Sequence, residues 1–95
     1  MQQHDLNELQ KKIGLGLDAE AFMRSDLGMY LLGRAEMDAI DAINELKAID
    51  ASQTDRIRAL QSIIARSENF EIWIREAFEV GKASEVQLEL METQD

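Results

Sequence analysis

The apolar positions of this chain recur at steps of three and four along most of its length, the period of a helix that buries one side. The clearest run lies between Leu27 and Ile49. At about 100° per residue, Leu32, Ala35, Ala39, Ala42, Ile43, Leu46 and Ile49 gather on a single face. A second run spans residues 54 to 80, where Ile57, Leu60, Ile63, Ile64, Phe70, Ile74, Ala77 and Phe78 share a face. Between them, Asp50, Ala51, Ser52 and Gln53 break the pattern, and Ser52 or Thr54 is placed to cap the helix that follows. So short a turn predicts antiparallel neighbours. Gly81 stands where a left-handed residue commonly ends a helix.

The ends of the chain are patterned more weakly. Leu6, Leu9 and Ile13 suggest a short amphipathic helix that Gly14 and Gly16 terminate, with Asp18 capping a further turn or two as far as Arg24. Glu20 and Arg24 stand four apart in the favourable order. Ser25 and Asp26 offer a bend or a new cap. After Gly81, Ala83, Val86 and Leu90 are helically spaced, while Val86, Leu88 and Leu90 also alternate as a strand would. The expected fold is therefore all-α. It is a long antiparallel hairpin of about 27–49 and 54–80 with short flanking helices at both termini, in one domain over 1–95. Residues 1–17 are expected to form a mobile N-terminal segment, and 82–95 a C-terminal segment that docks on a partner.

Composition supports helices: the 95 residues include no proline, no cysteine and five glycines. Without cysteine there is no disulfide, thiolate metal ligand or cysteine nucleophile. The longest apolar run, Met29 to Leu32, is four residues, which predicts no membrane span. Ten basic against 19 acidic residues leave a formal charge of −9. A phosphate backbone is bound by a basic stripe, so no direct nucleic-acid partner is expected.

Candidate chemistry is sparse. The single histidine, His4, lies near the terminus, where a solvated tail residue explains it better than a metal ligand, and Gly14-Leu15-Gly16 lacks the lysine and hydroxyl residue of a phosphate loop. Asp38, Asp41 and Glu45 line one side of the first long helix, where like charges at such spacing repel by a few tenths of a kcal/mol. An ordinary solvated face explains them better than a cation site. A hairpin offers no evident cleft for a substrate, so the expectation is a protein that is not an enzyme, with no catalytic residues, metal, cofactor or small-molecule substrate.

The informative positions are those the two core faces do not accommodate. Tyr30 and Met37 point away from the first core stripe, with Gly33 between them, and a glycine inside a helix suggests close approach by another backbone. Ile72 and Trp73 flank the second stripe on its two sides. Together with Val86 and Leu90 in the tail, these are the expected partner-binding residues. Either the terminal segments fold back over them or a second protein does. Ser67 and Glu71 interrupt the second stripe near its centre line, which argues against a long dimeric coiled coil; Glu71 has Arg75 four residues on.

One resemblance rests on Glu20-Ala21-Phe22-Met23-Arg24-Ser25-Asp26-Leu27-Gly28-Met29-Tyr30-Leu31, followed by an acidic Ala-rich helix, an Asp-containing turn and Phe70-x-x-Trp73-Ile74. Over about residues 18 to 81 the chain resembles a group of small helical proteins encoded by tailed bacteriophages and prophages. That resemblance implies an accessory or structural protein of the head and packaging region, made in the bacterial host's cytoplasm and present in the virion if structural. It carries over no functional residue. The expected partners are a second copy of the chain or another phage protein, with a homo-oligomer as the expected state. An acidic inhibitor that mimics nucleic acid on a basic host or phage protein is the alternative.

Overall fold

The computed structural model describes residues 3–93, which form three helices: α1 (Gln3–Arg24), α2 (Asp26–Ala48) and α3 (Thr54–Glu92). No strand occurs among the described residues, so the chain is all-α and the alternating tail is helical.

The first helix does not stop at its glycines. α1 runs through Gly14, Gly16 and Asp18 without interruption, and Asp18 caps nothing. It ends at Ser25, where the Ser25 amide donates to the carbonyls of Ala21 (3.0 Å) and Phe22 (3.1 Å) and the hydroxyl donates to Phe22 O at 2.7 Å. A serine that satisfies a last-turn carbonyl in this way offers the backbone an alternative to another helical turn. The 20/24 pair forms as spaced, with Arg24 Nη2 at 2.9 Å from Glu20 Oε1.

The turn after α2 is organised by Asp50. Its carboxylate accepts the Ser52 amide at 2.8 Å, and its carbonyl accepts the Gln53 amide at 3.0 Å. Gln53 O then accepts the Ile57 amide at 3.0 Å, which makes Gln53 the residue that opens α3 and leaves Ser52 in the turn. The amide held by Asp50 keeps its carboxyl below the usual carboxylate range.

The largest departure from expectation lies at Gly81. No glycine has a positive φ, and α3 passes straight through position 81 to Glu92. The short C-terminal helix is thus the end of α3, and the short N-terminal pieces are one 22-residue helix. The reason is tertiary. A Cβ on Gly16 would stand 2.7 Å from Gly81 Cα and 3.2 Å from Ala77 O, and one on Gly81 would stand 2.6 Å from Gly16 Cα. Two helices cross there backbone against backbone, in a place only glycine fits.

By its contacts the chain divides into two units. One holds residues 1–25 and 73–95, and the other holds Asp26–Ile72. In the first, α1 packs on the later part of α3 through Leu9, Gly16 and Ala19 on one side and Gly81 and Ser84 on the other, all buried. Ser84 is a buried polar residue with a donor to place, and its hydroxyl donates to Val80 O at 2.8 Å. Lys82 lies on the outside, with its ammonium 5.7 Å from the Phe78 ring centroid and 3.6 Å from Glu85.

In the second unit, α2 and the first part of α3 meet through Ala42, 3% exposed, and Leu60, 1% exposed. Leu32, Ala35, Ala39, Leu46 and Ile49 are half-buried beside Ala42, and Ile57, Ile63, Ile64 and Phe70 beside Leu60. Ile43 departs from its expected place: it is 37% exposed, because one residue beyond Ala42 it has turned about 100° away from the packed side.

Candidate functional site

Two kinds of surface are on offer, a polar-rimmed groove and a set of bare apolar positions. The groove belongs to the second unit. It is open, with a volume of about 680 Å³. Its floor is apolar, from Leu31, Ala35, Ala42, Leu60, Ile63 and Phe70, and its walls carry Arg34, Asp38, Asp41, Glu45, Arg56 and Arg66.

Helical spacing puts the charges on these walls. Arg34, Asp38, Asp41 and Glu45 recur at three and four along one side of α2, and Arg56 enters from just past the turn. Their repulsion is offset by arginines. Arg56 donates to both oxygens of Glu45, Nε at 2.5 Å and Nη2 at 2.7 Å, in the two-pronged geometry that guanidinium and carboxylate prefer. Arg34 Nε donates to Asp38 Oδ1 at 3.4 Å. The Arg34 pKa is raised, first by its hydrogen bond to the Tyr30 hydroxyl and then by the Asp38 charge. Hydrogen bonding from Arg56 holds the Glu45 carboxyl below the usual carboxylate range. The acidic row read from the sequence is therefore interleaved with cations, and Ser67, one of the two polar breaks in the stripe, lines the same groove. Glu71, the other, is exposed.

The Glu45–Arg56 pair carries a pH signature. Glu45 has a folded pKa below its unfolded value, so its contribution to stability is present above the unfolded pKa and lost as pH falls through the folded one. The urea midpoint of the wild type is expected to exceed that of Glu45→Gln by a constant margin above about pH 5, with the margin closing as pH falls toward 3. Titrating both proteins in parallel cancels the background effect of the other carboxylates. A margin that stays level down to pH 3 would show that the pair does not form.

The bare positions are numerous. Among the described residues four apolar side chains are buried, Leu9, Ala19, Ala42 and Leu60, while thirteen large ones are exposed. All the expected partner-binding side chains belong to the second set. On α2, Tyr30 (63% exposed), Gly33 and Met37 share one outward side, with nothing within 4 Å of where a Gly33 Cβ would be. Ile72 closes the second unit, and Trp73, 64% exposed, opens the later part of α3. Val86 and Leu90, one helical turn apart, stand outward on α3 in the first unit. Sequence reasoning passed over Leu15, Leu17, Leu27, Met29, Ile40 and Val80, which are exposed as well. The missed signal was arithmetic: each helix carries more apolar residues than one packed face holds.

No group of three or more His, Cys, Asp or Glu among the described residues is placed to hold a metal ion, and no described helix is long and apolar enough to cross a membrane. Comparison with protein-family models, with curated proteins and with solved structures finds no match to this chain.

Proposed function

We propose that this chain is a non-enzymatic helical assembly protein, which works by burying its exposed apolar side chains against other protein. One observation carries the reading: among the described residues, thirteen large apolar side chains are exposed where four apolar ones are buried. Scattered exposed apolar residues are ordinary, but rows of them along helices mark interaction surfaces. In this reading α2 and the first part of α3 act as an antiparallel hairpin, stiffened by the Glu45–Arg56 pair beside the turn. Tyr30, Met37, Ile72 and Trp73 serve as anchors, and Val86 and Leu90 dock separately. The resemblance of residues 18–81 to phage helical proteins makes virion assembly in a bacterial cytoplasm the proposed setting.

The rival, an acidic mimic of nucleic acid, draws on the net charge of −9. It is weakened by the arginines that hold two of the three carboxylates it needs, Asp38 and Glu45. Mass in solution separates the two readings. Light scattering across a concentration range should give an oligomer whose mass is the same at low and high salt, because apolar burial is not screened. A monomer at every concentration that binds basic protein only at low salt would sink the assembly reading in favour of the mimic.

A further inference from the structure

We propose that the outward side of α2 is a self-complementary docking surface for α2 of a second copy of this chain, crossed antiparallel about a two-fold axis between Glu36 and Met37. This rests on the assembly reading and names its interface.

The side of α2 opposite Ala42 carries Met29, Tyr30, Gly33, Met37 and Ile40, with Ile43 at its edge, all exposed. Gly33 is the odd member. A glycine within a helix weakens it, and among the described residues nothing comes within 4 Å of a Cβ added at Gly33. At Gly16 and Gly81 the same chain uses interior glycines to bring two helices together at backbone distance. Gly33 has the same opening, and no helix fills it.

The positions around that opening pair off about the axis. Counting outward from the axis in both directions, Met37 matches Glu36, Gly33 matches Ile40, Tyr30 matches Ile43, Met29 matches Asn44, and Asp26 matches Lys47. At about 100° per residue, reversing the helix about this axis returns the same side of α2 to itself, which is the condition for an isologous interface. In the antiparallel crossing, Ile40 of each copy lies over the bare backbone at Gly33 of the other, and Tyr30 meets Ile43. Each end then sets Asp26 against Lys47. A parallel crossing would set Asp26 against Asp26 and Lys47 against Lys47, so charge selects the antiparallel one. Covering the five larger side chains on both copies removes on the order of 1,000 Å², the size at which specific interfaces begin.

Sedimentation equilibrium tests the proposal. The wild type should be a dimer that dissociates on dilution. Ile40→Glu should weaken it by about tenfold or more while helical circular dichroism is unchanged, since Ile40 is already exposed. Asp26→Lys and Lys47→Asp alone should each weaken the dimer severalfold at low salt, and the double variant should recover to within about twofold of wild type. The two positions lie about 31 Å apart along one helix, so recovery within a single copy is not available. A dimer that Ile40→Glu leaves intact would overturn this interface and leave the assembly reading standing. A double variant weaker than either single would overturn the antiparallel register, and a wild-type monomer at all concentrations would overturn the interface, the assembly reading falling with it only where that monomer binds basic protein at low salt alone.

Discussion

Gly16→Ala should destabilise the first unit even though alanine is the better helix former. The added Cβ would meet Gly81 Cα at 2.7 Å and Ala77 O at 3.2 Å, both backbone atoms that no rotamer change can move aside. Overpacking of this kind costs about 1–3 kcal/mol, against a propensity gain near 1 kcal/mol. The expected net loss is up to about 2 kcal/mol, and Gly16→Leu, which forces the helices wholly apart, should lose more. Gly81→Ala is expected to lose as much as Gly16→Ala, because its Cβ would stand 2.6 Å from Gly16 Cα. Gly14 supplies the control: nothing lies within 4 Å of its added Cβ, so Gly14→Ala should gain up to about 1 kcal/mol. Urea melts followed at 222 nm read all four. If Gly16→Ala is stabilised to the same extent as Gly14→Ala, the two helices do not cross where described.

Leu60→Ala is the corresponding test of the second unit. Leu60 is 1% exposed and is the largest fully buried side chain among the described residues. Large-to-small truncation of such a leucine costs about 2–5 kcal/mol, from lost transfer energy and from the cavity left behind. A small unit with Ala42 as its other buried apolar residue has little else to fall back on, so the value should sit toward the upper end. Leu60→Met keeps the volume and should cost less than about 1.5 kcal/mol. Should Leu60→Ala melt within about 0.5 kcal/mol of wild type, α2 and α3 are not packed through this residue.

The contrast between these two sites explains how far the sequence could be read. α2 was expected at 27–49 and runs Asp26–Ala48, because its apolar face and its flanking turn agree. The start of α3 was equally legible, since Thr54 lies just past the cluster of turn residues. Gly81 misled because local grammar and tertiary packing use the same residue for opposite ends. A glycine after an apolar stripe ends a helix when it turns left-handed, and continues it when another backbone needs the space. Only Gly16, a partner 65 positions earlier, decides between them. A trace of that choice was present: Gly16 and Ala19 on α1, with Ala77, Gly81 and Ser84 on α3, are small residues at steps of three and four.

At the candidate site, the outward positions of Tyr30 and Met37 followed from periodicity alone. The groove did not. Its walls depend on which residue of α2 stands across from which residue of α3, a register that periodicity on either helix leaves open. The clue was charge placement, since Glu45 and Arg56 lie at similar distances on the two sides of the turn centred on Asp50 to Gln53.

The division of α3 between the two units sets an order in time. Every residue of the second unit lies within Asp26–Ile72, whereas the first unit needs both ends of the chain. During synthesis from the N-terminus, residues 26–72 can find one another while the rest is still being made. α1, finished first, has to wait until Gly81 and Ser84 emerge before its own buried face is covered. For that interval Leu9 and the surface around Gly16 are open to any other chain nearby, so crowded ribosomes are where this protein is most exposed to mispairing.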